Sequence, residues 1–185
     1  MDGRRRIAVE GRTGTVCCAV RRARVADKIF LLGCRHVFSG HNGAGGNLPV
    51  TLAGHGPPLG VTRGLRGPLS DSEFRNLDAQ FAELSNPTVL SAVMAGYHFD
   101  DYAPDPASMP DTYWILTAGG ALQVECERLE HDYNLSYQAQ GMLRVRHGLL
   151  IRSRFAAGSV STEPGDSGAA LATRKDGGRD RKSVV

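Results

Sequence analysis

The residues best placed to do chemistry surround a serine in a glycine-bracketed turn, Glu163-Pro164-Gly165-Asp166-Ser167-Gly168. The flanking glycines let the backbone bend sharply, so the hydroxyl is displayed and successive N–H groups converge on one point. Donors arranged in this way can hold an oxyanion, each contributing about 3 kcal/mol to a transition state. Gly-Asp-Ser-Gly also has good turn chemistry in its own right, and a plain polar turn is the competing reading. A serine hydroxyl is a weak nucleophile near neutral pH and needs a base within hydrogen-bond reach. Of six histidines, His36 follows an apolar stretch in Leu32-Gly33-Cys34-Arg35-His36-Val37, where a rigid scaffold can aim its ring. His41 and His55 lie in glycine-rich loops, and His98, His131 and His147 lie in polar or turn contexts; these five read as solvated. The base in turn needs a carboxylate to orient it and to stabilise its charged form. Asp78, in Leu77-Asp78-Ala79-Gln80-Phe81-Ala82-Glu83-Leu84, is a charge at the mouth of an apolar strand, costly unless a partner is near. Asp71, Asp100 and Asp101 sit in loop contexts and read as solvated.

These side chains must be positioned by short β-segments. Gly14–Arg22 is rich in Val, Cys and Ala; Lys28–Val37 is strongly apolar, which puts His36 at a strand end; Leu77–Leu84 partly alternates. Thr112–Ala118 and Leu122–Leu129 are joined by Gly119-Gly120, a hairpin signal. Gly141–Arg154 reads as two strands around His147-Gly148, and Gly168–Thr173 follows the serine turn. Pro87–Tyr97 fits a short helix or a strand, which periodicity does not decide. Ser39–Pro49, Gly54–Pro58 and Pro104–Pro110 are Gly- and Pro-rich linkers. Many short strands with glycine turns indicate an all-β barrel or sandwich.

The order His36, Asp78, Ser167, with spacings of 42 and 89 residues, resembles that of the chymotrypsin-like (trypsin-fold) serine peptidases. In that family the histidine follows an apolar strand, the aspartate opens a Leu-Asp-Ala-x-hydrophobic strand, and the serine lies in Gly-Asp-Ser-Gly. The resemblance spans roughly Thr13 to Leu171; it is most specific at the serine and loosest at the histidine, where Cys34-Arg35 precedes and Val37 follows. It implies an all-β chain of two packed six-stranded antiparallel barrels, the first over about residues 10–85 and the second over about 110–185. It implies a serine endopeptidase with a His36–Asp78–Ser167 triad and an oxyanion hole from the backbone of Gly165 and Ser167. Asp166 takes a structural role. Family members activated by proteolysis pair that aspartate with a freed N-terminus from an Ile-Val-Gly-Gly start; this chain opens Met1-Asp2-Gly3, so an arginine is a suitable alternative partner. The position that selects the P1 residue falls on Ser161, implying a neutral, apolar P1. The chain ends 18 residues after Ser167, where Arg181–Val185 reads as the start of a further strand, so the second barrel is expected to be incomplete.

Composition supports one globular unit: 185 residues, 41% hydrophobic and 22% charged, with 23 glycines. The net charge of +3 comes partly from Arg4, Arg5 and Arg6 and from Lys175, Arg179, Arg181 and Lys182, which read as solvated ends. No basic module for nucleic acid is visible, nor an apolar run long enough to span a membrane. Cys17, Cys18, Cys34 and Cys126, without a visible secretory signal, read as buried free thiols of a reducing, cytoplasmic compartment. The expected partner is a protein or peptide substrate, with no cofactor and no metal, and the expected setting is a bacterial intracellular protein with further domains or a regulatory partner. Three other readings compete. The fold could serve as a catalytically inactive binding or scaffold module. Cys34, His36 and Cys17 or Cys18 could form a metal site, although their spacing fits no usual zinc pattern. Cys34 could be a nucleophile, but strand burial should raise its pKa rather than lower it.

Overall fold

The computed structural model describes residues 6–22, 25–40, 46–53, 56–63, 78–93, 99–102, 112–117, 120–137, 141–153, 165–174 and 182–184. Among the described residues thirteen strands fall into two sheets. The first contains β1 (Arg6–Val9), β2 (Arg12–Thr15), β3 (Cys18–Arg22), β4 (Val25–Gly33), β5 (Pro49–Leu52), β6 (Gly60–Arg63) and β7 (Gln80–Leu84), in the order β2-β1-β5-β6-β7-β4-β3. The seventh strand arises because Gly14–Arg22, read from sequence as one strand, bends at Val16-Cys17. Its first half pairs with β1 on one edge of the sheet and its second half pairs with β4 on the other edge. Consecutive stretches of one segment thus form both edges, which curls the sheet on itself; bent strands at corners do the same work in barrels generally.

Alternation along the strands fills the space this curl encloses. Ile7 and Val9 of β1, Ile29 and Leu31 of β4, Val50 of β5 and Ala82 and Leu84 of β7 are buried together with Val16, Val37, Phe38 and Val93. Each large apolar side chain taken out of water there contributes about 1.5–3 kcal/mol. Between β7 and the second sheet, the Pro87–Tyr97 region resolves to helix as far as it is described: a 3-10 turn (Pro87–Val89) runs into α2 (Leu90–Val93). Asn86 caps that turn by accepting from Thr88 N at 3.0 Å, with proline at the first position, where no N–H is needed. The shorter helix α1 (Arg35–Phe38) follows β4.

The second sheet contains β8 (Phe99–Tyr102), β9 (Thr112–Thr117), β10 (Gly120–Tyr137), β11 (Gly141–Ser153), β12 (Ala170–Arg174) and β13 (Lys182–Val184), ordered β11-β10-β9-β12-β13-β8. The β9–β10 hairpin forms where the Gly119-Gly120 signal lies, with Gly120 opposite Thr117. Two expectations are corrected here. Gly141–Ser153 is one strand rather than two: His147-Gly148 faces a register shift of β10 between Arg128 and His131, so the break in pattern is an irregularity in the ladder and not a turn. The sheet is also not wholly antiparallel, because β13 runs parallel to β8. Tyr113, Ile115 and Val124 pack on one face, and Leu116, Ala170 and Ala172 on the other, as strand alternation requires. Among the described residues no helix is long and apolar enough to cross a membrane.

Candidate active site

His36 does not end a strand, as its apolar approach suggested. β4 stops at Gly33, Cys34 is extended, and His36 is the second residue of α1. The helix is a single turn, held by Phe38 N donating to Cys34 O at 3.1 Å and Ser39 N to Arg35 O at 2.8 Å. Burial of Val37 and Phe38 pins it to the core, which leaves His36 at the rim. One further bond fixes its backbone, Arg12 Nη1 donating to the His36 carbonyl at 2.7 Å.

Asp78 lies two residues before β7, and β7 pairs with β4, so the ladder delivers the carboxylate to the start of α1. Asp78 grips that start three times. Its carbonyl accepts from Arg35 N at 3.3 Å, Oδ1 accepts from His36 N at 3.0 Å, and Oδ2 lies 2.7 Å from His36 Nδ1. The two side chains are only 20% and 15% exposed, so the contact is shielded from water and stronger for it. A carboxylate at Nδ1 selects the tautomer with the proton on Nδ1 and makes Nε2 the acceptor nitrogen.

The thiol of Cys34 also reaches Asp78. Burial pushes it far above its ordinary value, and the Asp78 charge and a hydrogen bond to Asp78 push it further. A thiol held protonated in this way is a donor to the carboxylate and not a nucleophile, which argues against a peptidase built on Cys34. The donor atoms of Cys34, His36 and Asp78 lie within 4.8 Å of one another, close enough for a metal ion. The cluster differs from the set weighed from sequence, since Asp78 stands where Cys17 or Cys18 was considered. The same three groups are also hydrogen-bonded to one another, the carboxylate accepting from both ring and thiol. Cys17, Cys18 and Cys34 are half-buried rather than fully buried.

Ser167 comes from the other sheet, in the turn that leads into β12. Gly165 and Gly168 have φ of +102° and +91°, conformations that residues with a Cβ rarely adopt, and Ala169 N closes the turn on Asp166 O at 2.9 Å. The turn is docked on β2: Thr15 N donates to Ser167 O at 2.7 Å, and Thr15 Oγ1 donates to Gly165 O at 2.8 Å. A Cβ at Gly14 would lie 2.8 Å from Val37 Cγ2 and 3.0 Å from Ser167 O, and one at Gly168 would lie 3.1 Å from Cys34 N. The serine turn therefore sits against the residues that carry His36. Within it Gly165 is buried, Asp166 half-buried and Ser167 exposed.

Arg6 was read from sequence as part of a solvated end. Instead it opens β1, with Nη2 3.9 Å from Asp166 Oδ1. Alternation in Arg6-Ile7-Ala8-Val9 was the available signal, masked by the polar residues on either side. Thr15 and Arg12 carried no signal, because their role comes from a pairing that only the folded chain makes. His131 and His147 lie in β10 and β11, and Ser161, His41, His55 and His98 lie outside the described residues.

Among solved structures, the chain is similar to a glutamic acid specific serine protease that uses a histidine triad in substrate binding. The TM-score is 0.54 at 12% identity, over 98% of this chain and 90% of that one. The fold is chymotrypsin-like. At this identity the likeness speaks for architecture alone. No family model matches the sequence, and no curated protein matches it.

Proposed function

We propose that the chain is a serine endopeptidase domain acting through His36, Asp78 and Ser167. The observation that carries this reading is the two-point grip of Asp78 on His36, at 2.7 and 3.0 Å, with the serine turn docked on β2 and packed close to Cys34, the residue before the His36 helix.

In this mechanism Ser167 Oγ adds to the scissile carbonyl carbon while its proton passes to His36 Nε2. The carbonyl electron pair moves onto oxygen, and the N–H groups of Gly165 and Ser167 stabilise that charge. The tetrahedral species collapses, the C–N bond breaks, and His36 returns the proton to the leaving amine. Water, with His36 as base, then releases the acyl group from Ser167. Asp78 keeps its charge throughout and stabilises the imidazolium. Cys34 steadies Asp78 through a second hydrogen bond to its carboxylate.

The substrate is a protein or peptide, and no cofactor enters the chemistry. Glutamate specificity belongs to the structural neighbour; in this chain the proposed P1-selecting residue is Ser161, which favours a neutral, apolar side chain. A cytoplasmic setting forms part of the same proposal. The test is cleavage of denatured casein and of a mixed peptide library by the native chain and by Ser167→Ala. The expected result is hydrolysis by the native protein only, because removing a triad serine lowers kcat by about 10⁶-fold. Equal turnover by both, or none by either, would count against the reading, and the latter would favour a binding or scaffold module.

A further inference from the structure

Cys34 takes no proton and touches no substrate in the mechanism, yet it completes a set of three metal-binding donors. It is the residue before α1, extended at φ −67° and ψ 136°, and its side chain makes no capping bond to the helix. The thiol turns to Asp78 instead. The donor atoms of Cys34, His36 and Asp78 lie within 4.8 Å of one another, and all three residues are half-buried, so none is sealed from solvent. The backbone that carries them is fixed. Val37 N and Phe38 N donate to Cys34 O at 3.2 and 3.1 Å, and Arg35 N donates to Asp78 O at 3.3 Å. A Cβ at Gly33 would lie 3.0 Å from Phe38 Cζ, so the chain entering Cys34 is seated against the core as well. A tetrahedral zinc ion, bonded at about 2.3 Å to sulfur and about 2.0–2.2 Å to nitrogen or oxygen, needs its donors about 3.3–3.6 Å apart. The 2.7 Å contact of His36 with Asp78 would open by roughly 0.6 Å to admit it, a change that rotation of the two side chains can supply. Thiol, imidazole and carboxylate together suit Zn²⁺ or Cd²⁺ and not Mg²⁺ or Ca²⁺, which take oxygen donors. Three protein ligands leave a fourth position to water, the pattern of an open site rather than a closed structural one.

We propose that Cys34, His36 and Asp78 form an inhibitory site for a thiophilic divalent cation, Zn²⁺ or Cd²⁺, whose binding switches the triad off. The inhibition rests on the serine peptidase reading above; the binding does not. When the ion takes the lone pair of Nδ1, the ring proton sits on Nε2, and His36 becomes a donor where the mechanism needs an acceptor. Asp78, its charge offset by the ion, no longer stabilises an imidazolium. The Cys34 proton leaves to water and the ring proton changes nitrogen through solvent, so one proton is released for each ion bound. Thiolate, carboxylate and divalent ion then sum to zero charge, which suits a partly buried site. Because the ion must displace the proton that burial and Asp78 hold on Cys34, the site is a reversible one, emptied by a chelator.

The experiment has two arms, both on chelator-treated protein. In the first, Cd²⁺ is titrated into the native chain, Cys34→Ser, Asp78→Asn and Cys17→Ser, and binding is read from the ultraviolet thiolate-to-cadmium charge-transfer band. Thermal unfolding of each is recorded alongside. In the second, fluorophosphonate labelling of the native chain is timed alone, with Zn²⁺, with Mg²⁺, and with Zn²⁺ followed by excess EDTA. The proposal expects one Cd²⁺ per native chain, no band in Cys34→Ser, weakened binding in Asp78→Asn and native binding in Cys17→Ser. Saturating Zn²⁺ should slow labelling by about 10²–10⁴-fold, the usual contribution of a general base, with recovery in EDTA and no effect of Mg²⁺. Absence of Cd²⁺ binding, a band that survives in Cys34→Ser, native affinity in a folded Asp78→Asn, or loss of the band in Cys17→Ser would overturn the site. Binding that leaves the labelling rate unchanged would overturn the inhibition and leave the peptidase reading standing. No labelling of the metal-free native chain would overturn the peptidase reading and the inhibition with it, while the first arm still decides the site.

Discussion

His36, on the helical turn after β4, and Asp78, just before β7, are joined by two hydrogen bonds to the Asp78 carboxylate within one sheet's surroundings, whereas the Ser167 turn is held by Thr15 and a cation from the opposite sheet. The first half needs little beyond local pairing: once β4 and β7 are in register, Asp78 faces the start of α1 and the carboxylate locks the ring. The second half has no such local source of order. Its conformation is set where the chain returns after about 150 residues to meet Thr15. One half should therefore fail by chemistry when a single group is altered, and the other by geometry when its supports are removed.

The largest effect should come from the chemical half. Asp78→Asn leaves the shape of the pair but offers an amide donor to Nδ1, which favours the wrong tautomer, and activity should fall by about 10⁴-fold with little change in unfolding temperature. Peptide hydrolysis and a thermal melt check this. An Asp78→Asn variant that kept near-native activity would mean that the pair is structural.

Gly168→Ala tests the geometric half. The new Cβ would enter a positive-φ position against the Thr15 carbonyl and Cys34 N, both backbone groups that yield poorly. A cost on the order of 1–3 kcal/mol is expected, with a fall of several degrees in unfolding temperature and loss of fluorophosphonate reactivity. Full stability without reactivity would show that the turn relaxes freely, contrary to the docking described.

Cys34 links the halves to pH. Its folded thiol stays protonated well above the ordinary value of 9.0, while in the unfolded chain it ionises near that value. The unfolded state thus releases a proton that the folded state keeps, so the contribution is complete below pH 9 and is lost as pH rises beyond it, by about 1.4 kcal/mol per pH unit. Denaturant unfolding at pH 8 and pH 10 should show a steeper loss for the native chain than for Cys34→Ala. Equal losses would remove Cys34 from the Asp78 network.

The smallest effect lies on the sheet surface away from the site. Lys28, and then Arg63, hold the Glu83 carboxylate below its ordinary range through contacts of 2.8 and 2.7 Å. This stabilisation is present above the ordinary carboxylate value and is lost as pH falls through the lowered one. Both cations are about half exposed, so Lys28→Ala should cost only about 0.2–1 kcal/mol at neutral pH and leave activity unchanged. A larger loss would mean that this network, and not the core, orders β4 against β7.

The same contrast explains what could be read in advance. The residues proposed to act stand out by type: Gly-Asp-Ser-Gly, the Leu-Asp-Ala segment and the histidine after an apolar run each carry their chemistry in neighbouring residues. The all-β class was legible in the glycine-punctuated strands, and the hairpin at Gly119-Gly120 in its turn residues. The supports were not. The bend at Val16-Cys17 depends on pairing with β1 on one side and β4 on the other, and nothing in Thr-Val-Cys-Cys announces it. The helical turn at His36 is too short to show periodicity and was absorbed into the preceding apolar run. Arg6 looked like one of three arginines near the chain start, because its partner Asp166 is distant in sequence. Irregularity in the β10–β11 ladder imitated a turn at His147-Gly148, since glycine marks both.

The central claim is that Ser167 is an activated nucleophile and that His36, held by Asp78, activates it. The most direct measurement is fluorophosphonate labelling of the native chain and of His36→Ala, with the modified residue located by peptide mapping. The account predicts one adduct per chain, on Ser167, formed readily by the native protein and at least about 10³-fold more slowly by His36→Ala. Absence of an adduct on the native chain, an adduct elsewhere, or equal labelling of both proteins would contradict it.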